Sequence, residues 1–225
     1  MSTTDAVVDT RRGVDPYKIG RGGYGGGGRA TGHGEGGPAS KSVIVGYGFW
    51  LFLLSDIVLF SCLFAAHAVQ RNATAGGPTG PELFDPSSIA LETTALLLSS
   101  FTCGMAAVAT GVRNQLWTQI FLLITGLFGA AFLVLEARDF TAMIERGASP
   151  QVSGYWSSFF AVVGCHGLHV TAGLLWLGTM IAQIYVKGFR PNILRRILCF
   201  NLFWHVLDII WVALFTIVYL IGEGR

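Results

Sequence analysis

Charged residues are scarce in this chain. Asp, Glu, Lys and Arg together make up 12% of its 225 residues, whereas a soluble domain carries roughly a quarter. The 15 Lys and Arg residues nearly balance the 13 Asp and Glu residues, and the formal charge of +2 is too small for a surface that binds nucleic acid. This composition excludes an ordinary cytosolic enzyme, a disordered regulator and a nucleic-acid-binding protein.

Cysteine motifs are also absent. The chain has four cysteines with no Cys-x-x-Cys spacing, and each lies in an apolar run: Cys62, Cys103, Cys165 and Cys199. This pattern indicates neither a disulfide framework nor a zinc site. We therefore predict four buried free thiols.

Residues 1–42 contain few large apolar side chains and twelve of the 30 glycines. Such a segment cannot bury enough surface to offset its chain entropy, so we predict a flexible glycine-rich tail. The tail also lacks the apolar stretch after a short basic start that marks a signal peptide.

Long apolar runs dominate the rest of the chain, and the mean hydropathy is +0.57. Five runs reach the roughly 20 residues that a helix needs to cross the hydrocarbon layer. They predict an all-α membrane domain over residues 43–225, built as a bundle of five transmembrane helices. The predicted spans are Gly46–Val69, Ile89–Val112, Leu116–Leu135, Tyr155–Val186 and Ile197–Ile221.

The distribution of basic residues predicts the orientation. Eleven Lys and Arg residues lie in the tail, the second loop and the fourth loop, whereas four lie on the other side. The positive-inside rule then places the N-terminus in the cytoplasm and the C-terminus in the periplasm. Tyr155, Trp156 and Tyr219 lie near the predicted outer ends and fit an aromatic belt at the membrane surface. His67 lies there too, and we expect an interfacial position for it.

A few ionisable residues lie within or beside the spans. They are Asp56, Glu92, Glu136, His166, His169, His205 and Asp208. A charge at the bilayer centre costs about 2.5–3.5 kcal/mol on insertion scales, so these groups are expected to face protein or a hydrated cleft. The spacing i, i+3 within 166/169 and 205/208 places each pair on one helix face.

Three interpretations of these residues remain open. His166 and His205 could be the axial ligands of one haem, because they lie on different helices. Asp56 could take part in a proton path. The third interpretation is structural, with the polar groups bonding across helices or contacting lipid headgroups. From the depths of the third and fourth spans, we expect Glu136 to meet His166 or His169, directly or through one water molecule. Asp208 of the fifth span is expected to approach them a turn or two closer to the cytoplasm; the alternative places Glu136 among the headgroups.

Several motifs resemble subunit III of the haem–copper terminal oxidases. They are GCHGLHV at residues 164–170, FWHVLDIIW at 203–211 and FLLSDIVLF at 52–60. Many members of that family have glutamate where this chain has Asp56. The loop NATAGGPTG at 72–80 resembles the bacterial cytochrome bo-type ubiquinol oxidases in particular. Mitochondrial-type members have seven helices, and the five-helix form is that of the bo-type branch.

The resemblance implies a subunit without redox chemistry of its own. In this family subunit I holds two haems and one copper, and subunit III carries no redox cofactor, binds phospholipid and packs against subunit I, with subunits II and IV in the same complex. The carboxylate at position 56 would support proton uptake by subunit I in the bacterial inner membrane. Glu92, Glu136 and the interior histidines would be structural or lipid-contacting groups. A b-type cytochrome with His166 and His205 as ligands, or a small ion transporter, is the alternative.

Overall fold

The five predicted helices form, and the all-α class is confirmed. The computed structural model describes residues 41–75 and 85–220, and these ranges contain no strand. Their elements are α1 (Lys41–Gln70), α2 (Pro86–Gly111), α3 (Gln115–Glu145), α4 (Gly154–Lys187), α5 (Pro191–Leu214) and a π-helical segment (Phe215–Leu220). All five α-helices are long and apolar enough to cross a membrane. The predicted tail lies outside the described residues, except for Lys41 and Ser42, which begin α1.

Two helices extend beyond the predicted spans. Helix α3 continues for ten residues past Leu135 and ends at Glu145, shortly before Gly147, whose φ of 88° breaks the helix. Helix α5 begins at Pro191, six residues before the predicted start, where proline suits the first turn of a helix. Hydropathy marks the apolar part of a helix, whereas the helix itself ends where its backbone hydrogen bonds end.

Side chains cap three of the helices at their N-termini. Asp85, Asn114 and Ser153 each accept a hydrogen bond from a backbone N–H in the first turn of α2, α3 and α4, respectively. The hydroxyl of Ser87 also donates to Asp85, at 2.7 Å. These bonds stabilise the carboxylate and lower the pKa of Asp85, which lies just outside α2.

Helix α1 is the least enclosed of the five, and α5 is the most enclosed. In the most apolar part of each helix, 11% of the residues of α1 are buried, compared with 56% of those of α5. The buried residues of α1 recur every seven positions: Leu53, Phe60 and His67. The rest of α1 is largely exposed. Residues from Val45 onward form one compact unit, to which the first turn of α1 does not belong.

The prediction of four buried thiols is wrong for one cysteine. All four thiols are free; Cys103 and Cys199 are buried, and Cys165 is half-buried. Cys62 is exposed because it lies on the outward face of α1, where an apolar run faces lipid as readily as protein.

Trp204 of α5 fits against two glycines on neighbouring helices. A Cβ atom at Gly129 of α3 would lie 2.9 Å from Cζ2 of Trp204, and a Cβ atom at Gly173 of α4 would lie 2.8 Å from its Cζ3. Both distances are too short for real contacts. The indole can therefore occupy this position only because the two glycines have no side chain. The close approach of small residues is typical of helix packing in membranes.

Gly173→Ala is therefore expected to destabilise the bundle. The added methyl group also meets Phe203 at 3.0 Å, and overpacking of this kind costs about 1–3 kcal/mol. Gly164→Ala, on the same helix, is the matched control because nothing lies within 4 Å of its Cβ position. The measurement is the midpoint of thermal unfolding in detergent. Equal midpoints for the two variants would contradict the packing described here.

Candidate functional site

His166 lies in an aromatic enclosure at the centre of the bundle. Its side chain has no exposed surface, and rings from three other helices contact it. The centroid of Phe60 lies 6.3 Å from the imidazole, that of Phe132 lies at 5.8 Å and that of Trp211 at 5.3 Å. Neither ring nitrogen has a hydrogen-bond partner among the residues that the structure describes.

His169 and Asp56 lie on the side where α1 meets α4. The Nδ1–H of His169 donates to the carbonyl of Cys165 in its own helix, at 2.7 Å, and its ring packs on Phe60 with centroids 5.3 Å apart. Asp56 is half-buried and near enough to Cys165 for its charge to act on that thiol. Its carboxylate is thus on the side of α1 that faces α4.

His205 and Asp208 of α5 meet Ser100 of α2. Nδ1 of His205 lies 2.7 Å from Oγ of Ser100, and Asp208 is near the same hydroxyl. The spacing i, i+3 correctly placed His205 and Asp208 on one face. Ser100 was not among the predicted site residues, because a serine in a span is indistinguishable from other small packing residues.

Glu136 does not bond to a histidine. Within the described part of the chain, both of its carboxylate oxygens and both nitrogens of His166 lack partners, and His169 is bonded within α4. The expected direct pairing is therefore wrong, whereas a pairing through one water molecule stays a prediction. The alternative position among the headgroups is also wrong, because Glu136 is only 6% exposed.

Glu136 instead lies at a depth similar to that of Glu92 on the neighbouring helix of the α2–α3 hairpin. Glu92 lies 21 residues before Arg113 in the turn, and Glu136 lies 23 residues after it, so antiparallel packing brings them to similar depth. The charge of Glu92 acts on Glu136, and both act on Tyr219. The prediction for Glu136 compared only the depths of residues along α3 and α4. Depth along the helix axis does not determine which neighbouring helix a side chain faces.

The structure also corrects two further predictions, the aromatic belt and the interfacial position of His67. Tyr155, Trp156 and Tyr219 are all buried, with the ring of Tyr219 5.9 Å from that of Phe159. His67 is 4% exposed, and its Nδ1 lies 2.9 Å from Oγ of Ser158 in α4. These residues stabilise contacts between helix ends, and hydropathy alone does not distinguish such a position from the membrane surface.

The described histidines do not suit haem ligation. An axial ligand needs an open face beside its ring nitrogen for the macrocycle, whereas rings from three helices surround His166. His205 directs Nδ1 to Ser100 in another part of the interior. Among residues 41–75 and 85–220, no three His, Cys, Asp or Glu side chains gather as a metal-binding group.

Comparisons with known proteins place these features in a family context. The sequence profile of the family described as cytochrome c oxidase subunit III matches residues 30–223. The cytochrome bo(3) ubiquinol oxidase subunit 3 of Pseudomonas putida is 46% identical over 175 residues, which cover 78% of this chain and 84% of that protein. The quinol oxidase subunit 3 of Bacillus subtilis is 41% identical over 177 residues, covering 79% of this chain and 87% of that protein. The resemblance stated from the motifs is thereby confirmed.

His166→Phe is expected to leave the bundle at least as stable as the wild type. A phenyl ring suits the aromatic enclosure and removes two buried nitrogens, each of which is costly without a partner. His166→Ala is expected to lose about 2–5 kcal/mol through the cavity that it leaves. His205→Phe is the control, because it breaks the bond to Ser100 and should destabilise. Thermal unfolding of the three variants checks this order, and a His166→Phe variant as unstable as His166→Ala would contradict it.

Proposed function

Because the chain belongs to the cytochrome c oxidase subunit III family, we propose that it is the non-redox accessory subunit of a ubiquinol oxidase. Its relatives are named as subunit 3 of quinol oxidases, and the loop NATAGGPTG at residues 72–80 favours the same branch. The complex would be a haem–copper oxidase of aerobic respiration, with two haems and one copper in subunit I. This chain would stabilise subunit I and support its proton uptake.

The position of the histidines is the observation that best supports an accessory role. His166 is enclosed by rings, His169 is bonded to its own helix and His205 is bonded to Ser100. The rings of His166 and His169 pack against other helices, and His205 bonds α5 to α2. The b-type cytochrome would require His166 and His205 to face one haem, which this packing opposes.

Helix α1 supports a contact with subunit I. Most of its surface remains exposed in the isolated chain, and its carboxylate at Asp56 lies half-buried next to α4. A carboxylate at the edge of the bundle can hold or pass a proton near a partner without belonging to that partner's proton path. Subunits II and IV complete the proposed complex.

A groove beside α5 supports phospholipid binding. Its volume is about 360 Å³, and it joins the apolar side chains of Phe49 and Trp176 to the basic side chains of Arg195 and Arg196. Basic groups next to an apolar wall suit the phosphate and the acyl chains of one lipid. By the positive-inside rule, this end of the protein would face the cytoplasm of a bacterial inner membrane.

Isolation of the complex through an affinity tag on this chain tests the proposed function. The purified complex is expected to contain subunits I, II and IV, to oxidise ubiquinol and to show haem bands in the reduced-minus-oxidised spectrum. The chain separated from the complex should have no haem absorption and no transport activity in vesicles. A Soret band that stays with the isolated chain would favour the b-type cytochrome instead.

Asp56→Ala is expected to shorten the working life of the complex more than it lowers the initial rate. Subunit I would retain its own proton path, so the first turnovers should proceed near the wild-type rate, whereas the number of turnovers before inactivation should fall several-fold. Glu145→Ala, which removes an exposed carboxylate at the end of α3, is the matched control. Oxygen consumption followed to inactivation measures both quantities, and an unchanged rate and lifetime would refute the role of Asp56.

A further inference from the structure

Two carboxyl groups lie together inside the α2–α3 hairpin and take no part in the function proposed above. Glu92 is 2% exposed and Glu136 is 6% exposed, although both helices are otherwise apolar along most of their length. The charge of each acts on the surrounding groups, and that of Glu92 acts on Glu136. The pair lies at the end of the bundle where α2 begins, α3 ends and the π-helical segment follows α5.

Unpartnered oxygen atoms converge at this place. Within the described ranges, one oxygen of Glu92 and both oxygens of Glu136 lack a hydrogen-bond partner. The hydroxyl of Ser88 also lacks one, and this side chain is 5% exposed. Ser88 precedes Glu92 by four residues and therefore lies on the same face of α2. A buried polar atom without a partner costs about 1–3 kcal/mol, so these oxygens require a ligand.

The surrounding charges do not neutralise two carboxylates. The other titratable groups near the pair are Asp139 of α3, Tyr219 of the π-helical segment and Tyr155 of α4, which interacts with Tyr219. Arg138 is the cation whose charge acts on Glu92, but its side chain is 69% exposed and lies 3.8 Å from Asp139. A solvated arginine already next to a carboxylate compensates only a small part of the buried charge.

These observations identify the ligand by its chemistry. Two carboxylates brought together in a low-dielectric interior repel each other, and one proton between them removes that repulsion. A single proton on either carboxyl group therefore leaves only one buried charge at this place. A metal ion would require several more oxygen ligands, and the described residues contain no group of three or more potential metal ligands here.

We propose that Glu92 and Glu136 form a proton-binding site, a carboxyl pair that holds at least one proton at neutral pH. Asp139 lies one helical turn beyond Glu136, and its side chain is 20% exposed. It therefore links the pair to water at this end of the bundle, and the bound proton exchanges with that water. The site is separate from Asp56, which lies on α1 beside α4.

Infrared difference spectroscopy of the intact oxidase complex tests this proposal. The spectra compared are those of the wild type and of the double variant Glu92→Gln/Glu136→Gln, each in H2O and in D2O. The wild type is expected to show the C=O stretch of a protonated carboxylic acid, shifted to lower frequency in D2O, and the double variant is expected to lose it. Glu145→Gln is the matched control, because this exposed residue should contribute only carboxylate bands.

Single variants keep the test decisive if the double variant does not assemble. Glu92→Gln and Glu136→Gln each preserve side-chain shape, and at least one of them is expected to remove the protonated band. If only carboxylate bands disappear in every assembled variant, both groups are ionised in the wild type, for example around a bound cation, and the proposal is wrong. Intact haem bands in the same samples verify that the complex has assembled.

Discussion

The contact of Trp204 with its neighbours is the constraint on which the bundle depends. Its indole ring occupies space left by Gly129 on α3 and Gly173 on α4, and its Nε1–H donates to Ser99 of α2 at 3.1 Å. Ser99 in turn donates to the carbonyl of Thr125 on α3, at 2.9 Å. One side chain of α5 therefore fixes the spacing of three other helices. In lipid, where apolar burial provides little drive for association, such close packing and bonding must hold the helices together.

The polar groups of the interior follow from this packing. Once α2 and α5 are held at the spacing set by Trp204 and Ser99, the next residue on each helix, Ser100 and His205, meets its counterpart at 2.7 Å. Nearly two turns further along α5, Trp211 lies against His166 and Phe132. The histidines thus belong to the same contacts that order the helices, which gives these ionisable side chains a structural reason to lie within the spans.

The sequence allowed the helices to be predicted but not the faces that they present. Length and hydropathy located all five helices, because spanning the membrane requires a long apolar run. The motif at 164–170 also identified the family. The expected direct bond from Glu136 to a histidine was wrong, and the burial of Tyr219 and His67 was missed, because neighbours depend on the rotation of each helix about its axis. Small residues such as Gly129 and Gly173 determine that rotation. The sequence does not show, however, which tryptophan packs against them.

Burial differs between helix α1 and the other four helices. Glu92 of α2 and Glu136 of α3 are buried within the bundle even without another subunit. Helix α1 contributes few residues to that core, and its acid, Asp56, remains half-buried. A partner that covers α1 would change the surroundings of Asp56 while leaving the carboxyl pair of the hairpin unaffected. With such a partner, the two acidic sites would respond to different influences, Asp56 to assembly and the pair to the water at its own end of the membrane.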